Sequence, residues 1–177
     1  MRHRHRGYSL YELLLTTTII ALLLFAGFPT FSALTARQLQ SFEINALFHA
    51  IHLARKESIM RRRVVSICPS HDGQDCGQAE DWSSGWLMFE NTDRDSPPQF
   101  DAGEPLLQRH RVAGQVNVEA NRRAFTLRST VLRATNGTLV VCDRQKRVPA
   151  KGLIVSYTGR PRVAFTKTDG TPYACAD

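Results

Sequence analysis

Several patterns that would declare a chemistry are missing from this sequence. Its four cysteines include no C-x-x-C pair, which argues against a zinc site. No serine sits in a G-x-S-x-G elbow, and His71 and His110 lack a paired nucleophile pattern, so no catalytic set and no cofactor are expected. The acidic stretch holding Asp93, Asp95, Asp101 and Glu104 lacks the alternating ligands and central glycine of a calcium loop, so no metal is expected. Charge is missing as well: Leu13 to Ala36, a run of 24 residues, contains none. No convincing small-x-small cleavage site follows it at Pro29, Thr30, Phe31, Ser32 and Ala33, which argues against a cleaved secretory signal.

What is present starts with that apolar run. At about 1.5 Å per residue it gives enough helix to cross a hydrocarbon core of about 30 Å. Arg2, Arg4 and Arg6 precede it and would hold that end in the cytoplasm. Glu12 lies just inside the run, where a carboxylate is costly without a partner.

Gly7, the aromatic Tyr8 and the glutamate five places after the glycine together resemble the class III signal of type IV pilins and pseudopilins. In that family a prepilin peptidase cuts after the glycine and the new N-terminal residue is methylated. The resemblance implies a mature chain starting at N-methylated Tyr8, with Glu12 as the assembly carboxylate. Two positions depart mildly from the pattern: the family usually has phenylalanine where Tyr8 stands, and an aliphatic residue where Tyr11 stands. A buried Glu12 in a staggered filament would neutralise the α-amino group of a neighbouring subunit, relieving two charges together.

The chain of 177 residues fits one domain plus an anchor. Cys68, Cys76, Cys142 and Cys175 all lie beyond the apolar run, on the side opposite the basic leader, so two disulfides are expected there. Of the possible pairings, the expected one has Cys68–Cys76 closing a short loop and Cys142–Cys175 stapling the tail. The net charge of +7 falls to +4 once the three leader arginines are removed. Its distribution is polarised. Asp72 to Glu104 carries nine acids against Arg94 alone, whereas 105–141 and 142–177 are net basic. Such asymmetry suggests oriented contacts or a polyanionic partner.

Ile44, Leu47, Phe48, Ile51 and Ala54 follow amphipathic helical spacing, and Arg61 to Arg63 suit a helix C-terminus. One long helix over about 9–62 is therefore expected, its first half in lipid and its second half on a globular head. His49 and His52 lie one turn apart without a third ligand and read as surface residues. After Arg63 the texture becomes short β runs: 64–68, 85–90, 106–111, 115–119, 124–128, 138–142, 153–157 and 162–166, with turns at Asn136-Gly137 and Asp169-Gly170.

The D-W-x-x-G-W-x-x-F segment from Asp81 to Phe89, with N-G-T-L-V-V-C-D from Asn136 to Asp143, resembles the GspH/FimT group. That group comprises H-type pseudopilins of type II secretion and FimT-type minor pilins. It implies an α+β, type IV pilin-like fold: a long N-terminal helix, its first half transmembrane, packed on two small antiparallel sheets. The expected division is a leader over 1–7, the membrane half of the helix over 8–36, its amphipathic half over 37–63, and a β-rich head over 64–177. Trp82 and Trp86 are expected to be packing residues.

The segment Gly159-Arg160-Pro161-Arg162 resembles the motif with which FimT-type minor pilins bind DNA. Two guanidiniums on a short stiff turn lose little entropy when they grip adjacent phosphates. Arg144, Lys146, Arg147, Lys151 and Lys167 flank it and would extend a stripe along double-stranded DNA. No base-reading element is evident, so binding is expected to ignore sequence. The expected protein is a non-enzymatic minor pilin of the inner membrane. It would assemble with other major and minor pilins near the tip of an extracellular pilus and take up DNA in natural transformation. The alternative is an H-type pseudopilin or minor pilin that serves only assembly.

Overall fold

In a computed structural model the described residues are 9–78, 80–129 and 134–175, without the side chains of 26–30. Gly7 and Tyr8, the expected processing site, lie outside them. Contacts divide the chain into two compact units, Met1–Thr35 and Ala36–Asp177.

One helix, α1, spans Leu10–Arg61. Ser9 caps it: its hydroxyl accepts the amide of Glu12 at 3.2 Å, and its carbonyl accepts that of Leu13. In the first unit, the hydroxyls of Thr16, Thr17 and Thr18 donate back to carbonyls of Leu13, Leu14 and Leu15 at 2.8–3.0 Å. Each threonine thus satisfies its polar group inside the helix and leaves apolar surface outward. Among the described residues no helix is long and apolar enough to cross a membrane. The apolar run of the sequence continues through residues 26–30, whose side chains are not described. The helix ends because Arg62 adopts a left-handed φ of 55°, letting the amide of Arg63 reach back to the Ser58 carbonyl.

In the second unit α1 buries one stripe: Ile44, Leu47, Ala50, Ile51 and Ala54. Against it lie two four-stranded antiparallel sheets. One contains β1 (Val64–Pro69), β2 (Gly85–Asn91), β3 (Leu106–Arg111) and β5 (Phe125–Leu127), in the order β3-β2-β1-β5. The other contains β4 (Val116–Ala120), β6 (Gly137–Asp143), β7 (Lys151–Val155) and β8 (Pro161–Ala164), in the order β4-β6-β7-β8. In this second sheet Val116, Val118, Leu139, Val141, Leu153 and Val155 are buried while their strand neighbours alternate outward. Trp82 and Trp86 are both fully buried in the same core. Cys68 is joined to Cys76 and Cys142 to Cys175. The second bridge ties the C-terminal tail to β6. The tail crosses the outer face of that sheet with the Tyr173 ring against Gly152, where any Cβ would collide with it.

Two buried polar residues fasten the sheets to the helix. Gln40 Nε2 donates to the carbonyls of Val141 at 3.0 Å and Pro149 at 2.8 Å, on the β6–β7 side. Glu43 pairs with His110 of β3 at 2.8 Å. Among the described residues neither side chain has a local partner, so nothing in the apolar periodicity announces it.

Candidate functional site

The β7–β8 connection is a tight turn over Ser156–Arg160. The amide of Ser156 donates to the Arg160 carbonyl at 3.1 Å, and that of Gly159 to the Ser156 carbonyl at 2.8 Å. The Ser156 hydroxyl adds a third brace by accepting the Arg160 amide at 3.2 Å. Gly159 sits at φ 69°, and a Cβ there would lie 2.7 Å from Leu127 Cδ1 and 3.1 Å from Arg55 Nη1. Both the backbone conformation and the available space therefore call for glycine.

This packing places the guanidinium of Arg55, from α1, beside the turn. Sequence reading missed Arg55, because its neighbour in space lies about a hundred residues away in the chain.

Arg160 closes the turn and Arg162 is the second residue of β8; both are exposed. Arg162 stands opposite Ile154 on the outer face of the second sheet. It lines a 530 Å³ cleft with Lys167, Thr168 and Tyr173, a cleft that Glu80 and Glu119 also enter. The carboxylates oppose part of the positive field there.

The remaining basic candidates do not form one stripe with these. Arg147 donates to Asp143 through Nε at 2.9 Å and Nη2 at 2.6 Å, and its amide joins the same carboxylate. That guanidinium and its backbone hold Asp143 below the usual carboxylate range despite the carboxylate's burial, and the pairing raises Arg147. Lys146, at a left-handed φ of 54°, lines a second cleft with Arg147, Asp143 and Tyr173. Arg144 donates to Asn117 Oδ1 at 2.7 Å, in a third cleft shared with Glu80, Asp81 and Glu119. Lys151 turns towards the helix: its Nζ lies 3.0 Å from the Ser41 hydroxyl and 6.0 Å from the Phe165 ring centre. Arg162 and Lys167 thus share one cleft, with exposed Arg160 just before β8 and Arg55 approaching the turn from the helix side, while Arg144, Arg147 and Lys151 make local contacts.

The acidic loop after β2 is organised by its own carboxylates. Oxygens of Asp93, Asp95 and Asp101 approach within 4.8 Å of one another. Asp95 accepts from Asn91 Nδ2 at 2.8 Å and the Gln99 amide at 2.7 Å, while buried Glu104 accepts the amides of Thr92 and Asp101. These bonds hold the carboxylates of the loop in place.

The family model described as Type II transport protein GspH matches residues 43–159. No curated protein matches the chain. Among solved structures the chain is similar to the type IV minor pilin FimU of Pseudomonas aeruginosa, in two crystal forms. In the first the identity is 20%, covering 78% of this chain and 99% of that one, with a TM-score of 0.54. In the second the coverage is 78% and 94%, with a TM-score of 0.51. It is also similar to the minor pseudopilin EpsH of the Vibrio cholerae Type 2 Secretion System, at 10% identity, 70% and 94% coverage and a TM-score of 0.50. These likenesses speak to the fold, a long helix on two antiparallel sheets. The family model speaks to descent, for it spans well over half of the residues: the chain belongs to the GspH family of minor pilins and pseudopilins.

Proposed function

We propose that this protein is a membrane-anchored minor pilin that joins a type IV pilus and binds double-stranded DNA without sequence preference, for uptake in natural transformation. The observation that carries the DNA reading is the braced β7–β8 turn, which ends at exposed Arg160 and leads directly into exposed Arg162 of β8. A turn held by three hydrogen bonds keeps its two arginines ordered before contact, so less entropy is lost when they meet phosphates. Lys167, in the same cleft as Arg162, extends the contact. The filament reading rests on family membership, the Gly7-Tyr8 signal and Glu12, and the membrane reading on the apolar run with its inward-bonded threonines. Prepilin peptidase, other pilins and the inner membrane follow as partners.

The test is titration of the chain with duplex DNA at several salt concentrations, beside an Arg160→Ala/Arg162→Ala variant. Each lost phosphate contact should flatten the log–log salt slope by about 0.9. Absence of wild-type binding at low salt would refute the DNA reading. A second reading, a pseudopilin or minor pilin acting in assembly alone, is favoured by the carboxylates of Glu80 and Glu119 in the arginine cleft and by the Type II transport description of the matched family.

A further inference from the structure

The outer face of the second sheet is crossed by a strap made from the chain's own end. After β8 the chain turns at Asp169-Gly170 and returns beside itself. Thr166 bridges Pro172, the Lys167 amide reaches the Thr171 carbonyl at 2.8 Å, and Asp169 accepts both the amide and the hydroxyl of Thr171. Local bonds close this hairpin, and at Tyr173 they stop. Among the described residues the backbone of 173–175 makes no hydrogen bond to the sheet. Its attachments there are the Tyr173 ring against Gly152 and the bridge from Cys142 to Cys175.

The sheet beneath is shaped for this strap. Thr138, Val140 and Cys142 of β6 alternate outward, as do Gly152 and Ile154 of β7. Gly152 stands opposite Val140 inside a strand, where a missing side chain leaves a notch, and the Tyr173 ring fills it. Cys142 belongs to the outward set and is nevertheless buried, under the tail it holds. Tyr173 and Ala174 line both the 530 Å³ cleft of Arg162 and Lys167 and a 440 Å³ cleft beside Asp143, Arg147 and Pro149. The tail is thus a wall common to the two.

The two bridges differ in access. Cys68, Cys76 and Cys142 are buried, whereas Cys175 is only half-buried. Thiol–disulfide exchange needs a thiolate to reach a sulfur, so it starts where a sulfur can be reached.

We propose that the Cys142–Cys175 bridge is a redox latch: a dithiol reductant opens it ahead of Cys68–Cys76, and residues 173–175 then leave Gly152 and join the two clefts into one face floored by Val140, Gly152 and Ile154. A thiolate of the dithiol bonds to the Cys175 sulfur, the S–S bond breaks, and Cys142 leaves as a thiolate that takes up a proton. The second thiol then displaces Cys175, so the products are two cysteine thiols and a cyclic oxidised dithiol. The latch does not depend on the DNA reading, because its opening is read on the chain alone.

The experiment treats the full chain in detergent micelles with dithiothreitol, traps free thiols with iodoacetamide at intervals, and locates them by mass. Cys142 and Cys175 should be alkylated before Cys68 and Cys76. In NMR spectra of the half-reduced chain the Gly152 Hα resonances, displaced by the ring above them, should return to ordinary glycine values. Amide exchange of 173–175 should quicken about tenfold while Val141 and Leu153 keep their protection. Tyr173→Ala, which keeps the bridge but removes the ring, should speed its reduction about tenfold, since the tail then opens more often. Earlier reduction of Cys68–Cys76, Gly152 Hα resonances unmoved once the bridge is open, or equal reduction rates with and without the ring would each overturn the proposal. So would loss of protection across β6 and β7 together with the tail, for the bridge would then hold the sheet itself. The results on the unaltered chain decide even if Tyr173→Ala does not fold.

Discussion

The Glu43 carboxylate lies 2.8 Å from Nε2 of His110, and its second oxygen accepts the Ala113 amide at 3.0 Å. The His110 ring stacks on Trp86 with centroids 5.1 Å apart. A single helical carboxylate therefore holds both the end of β3 and the chain leaving it, at a point where the side chain of Glu43 is almost wholly buried. Glu43→Ala strands an amide and an imidazole in the interior. We expect it to cost about 1–3 kcal/mol, read as a lower urea midpoint with an unchanged m-value. Glu43→Gln, which can still accept the amide, should cost less. Equal stability of Glu43→Ala and the unaltered protein would show that the contact holds nothing.

The Asp143–Arg147 pair makes a prediction about acid. Because Arg147 keeps the folded Asp143 below the ordinary carboxylate value, the pair contributes stability that is fully present above about pH 4 and is lost as the pH falls through the depressed value. Melting temperatures of the unaltered protein and of Asp143→Asn should therefore differ most near neutrality and converge in acid. A gap that stays constant from neutral to strongly acid pH would mean that Asp143 acts through something other than its charge.

Legibility of the sequence followed the range of the interactions involved. β3 coincides with the expected 106–111 because turn residues bound it on both sides. β7 was expected at 153–157 and lies at Lys151–Val155, since Ser156 and Tyr157 look like strand residues yet are bent into a turn by Gly159 and the Ser156–Arg160 bonds. Basic composition suggested a seven-residue stripe, but the i,i+4 spacing of Asp143 and Arg147 had already committed one guanidinium to an ion pair. The anchoring roles of Gln40 and Glu43 and the placement of Arg55 depend on partners about 70 to 110 residues away, which no local pattern encodes.

Gly159→Ala tests whether the turn geometry matters. The left-handed φ and the 2.7 Å approach of Leu127 Cδ1 together should cost about 1–2 kcal/mol and displace the turn from Arg55. If DNA binding resides there, the variant should bind duplex more weakly while keeping all its arginines. Unchanged binding would show that charge alone matters and that the bracing of the turn is irrelevant to it.

Glu12 carries the last prediction. Its backbone amide caps the helix through Ser9, and its carboxylate sits in the first turn, where it also complements the helix dipole. These two roles separate under substitution: Glu12→Gln keeps the amide and the side-chain shape but removes the charge. If Glu12 neutralises a neighbour's α-amino group in a filament, Glu12→Gln should sharply reduce incorporation while leaving helix content and head stability unchanged. The amount of variant recovered in sheared filaments, set against the amount in the membrane, measures this. Incorporation at the level of the unaltered chain would sink the charge-pairing role and leave Glu12 as a residue of the helix start alone.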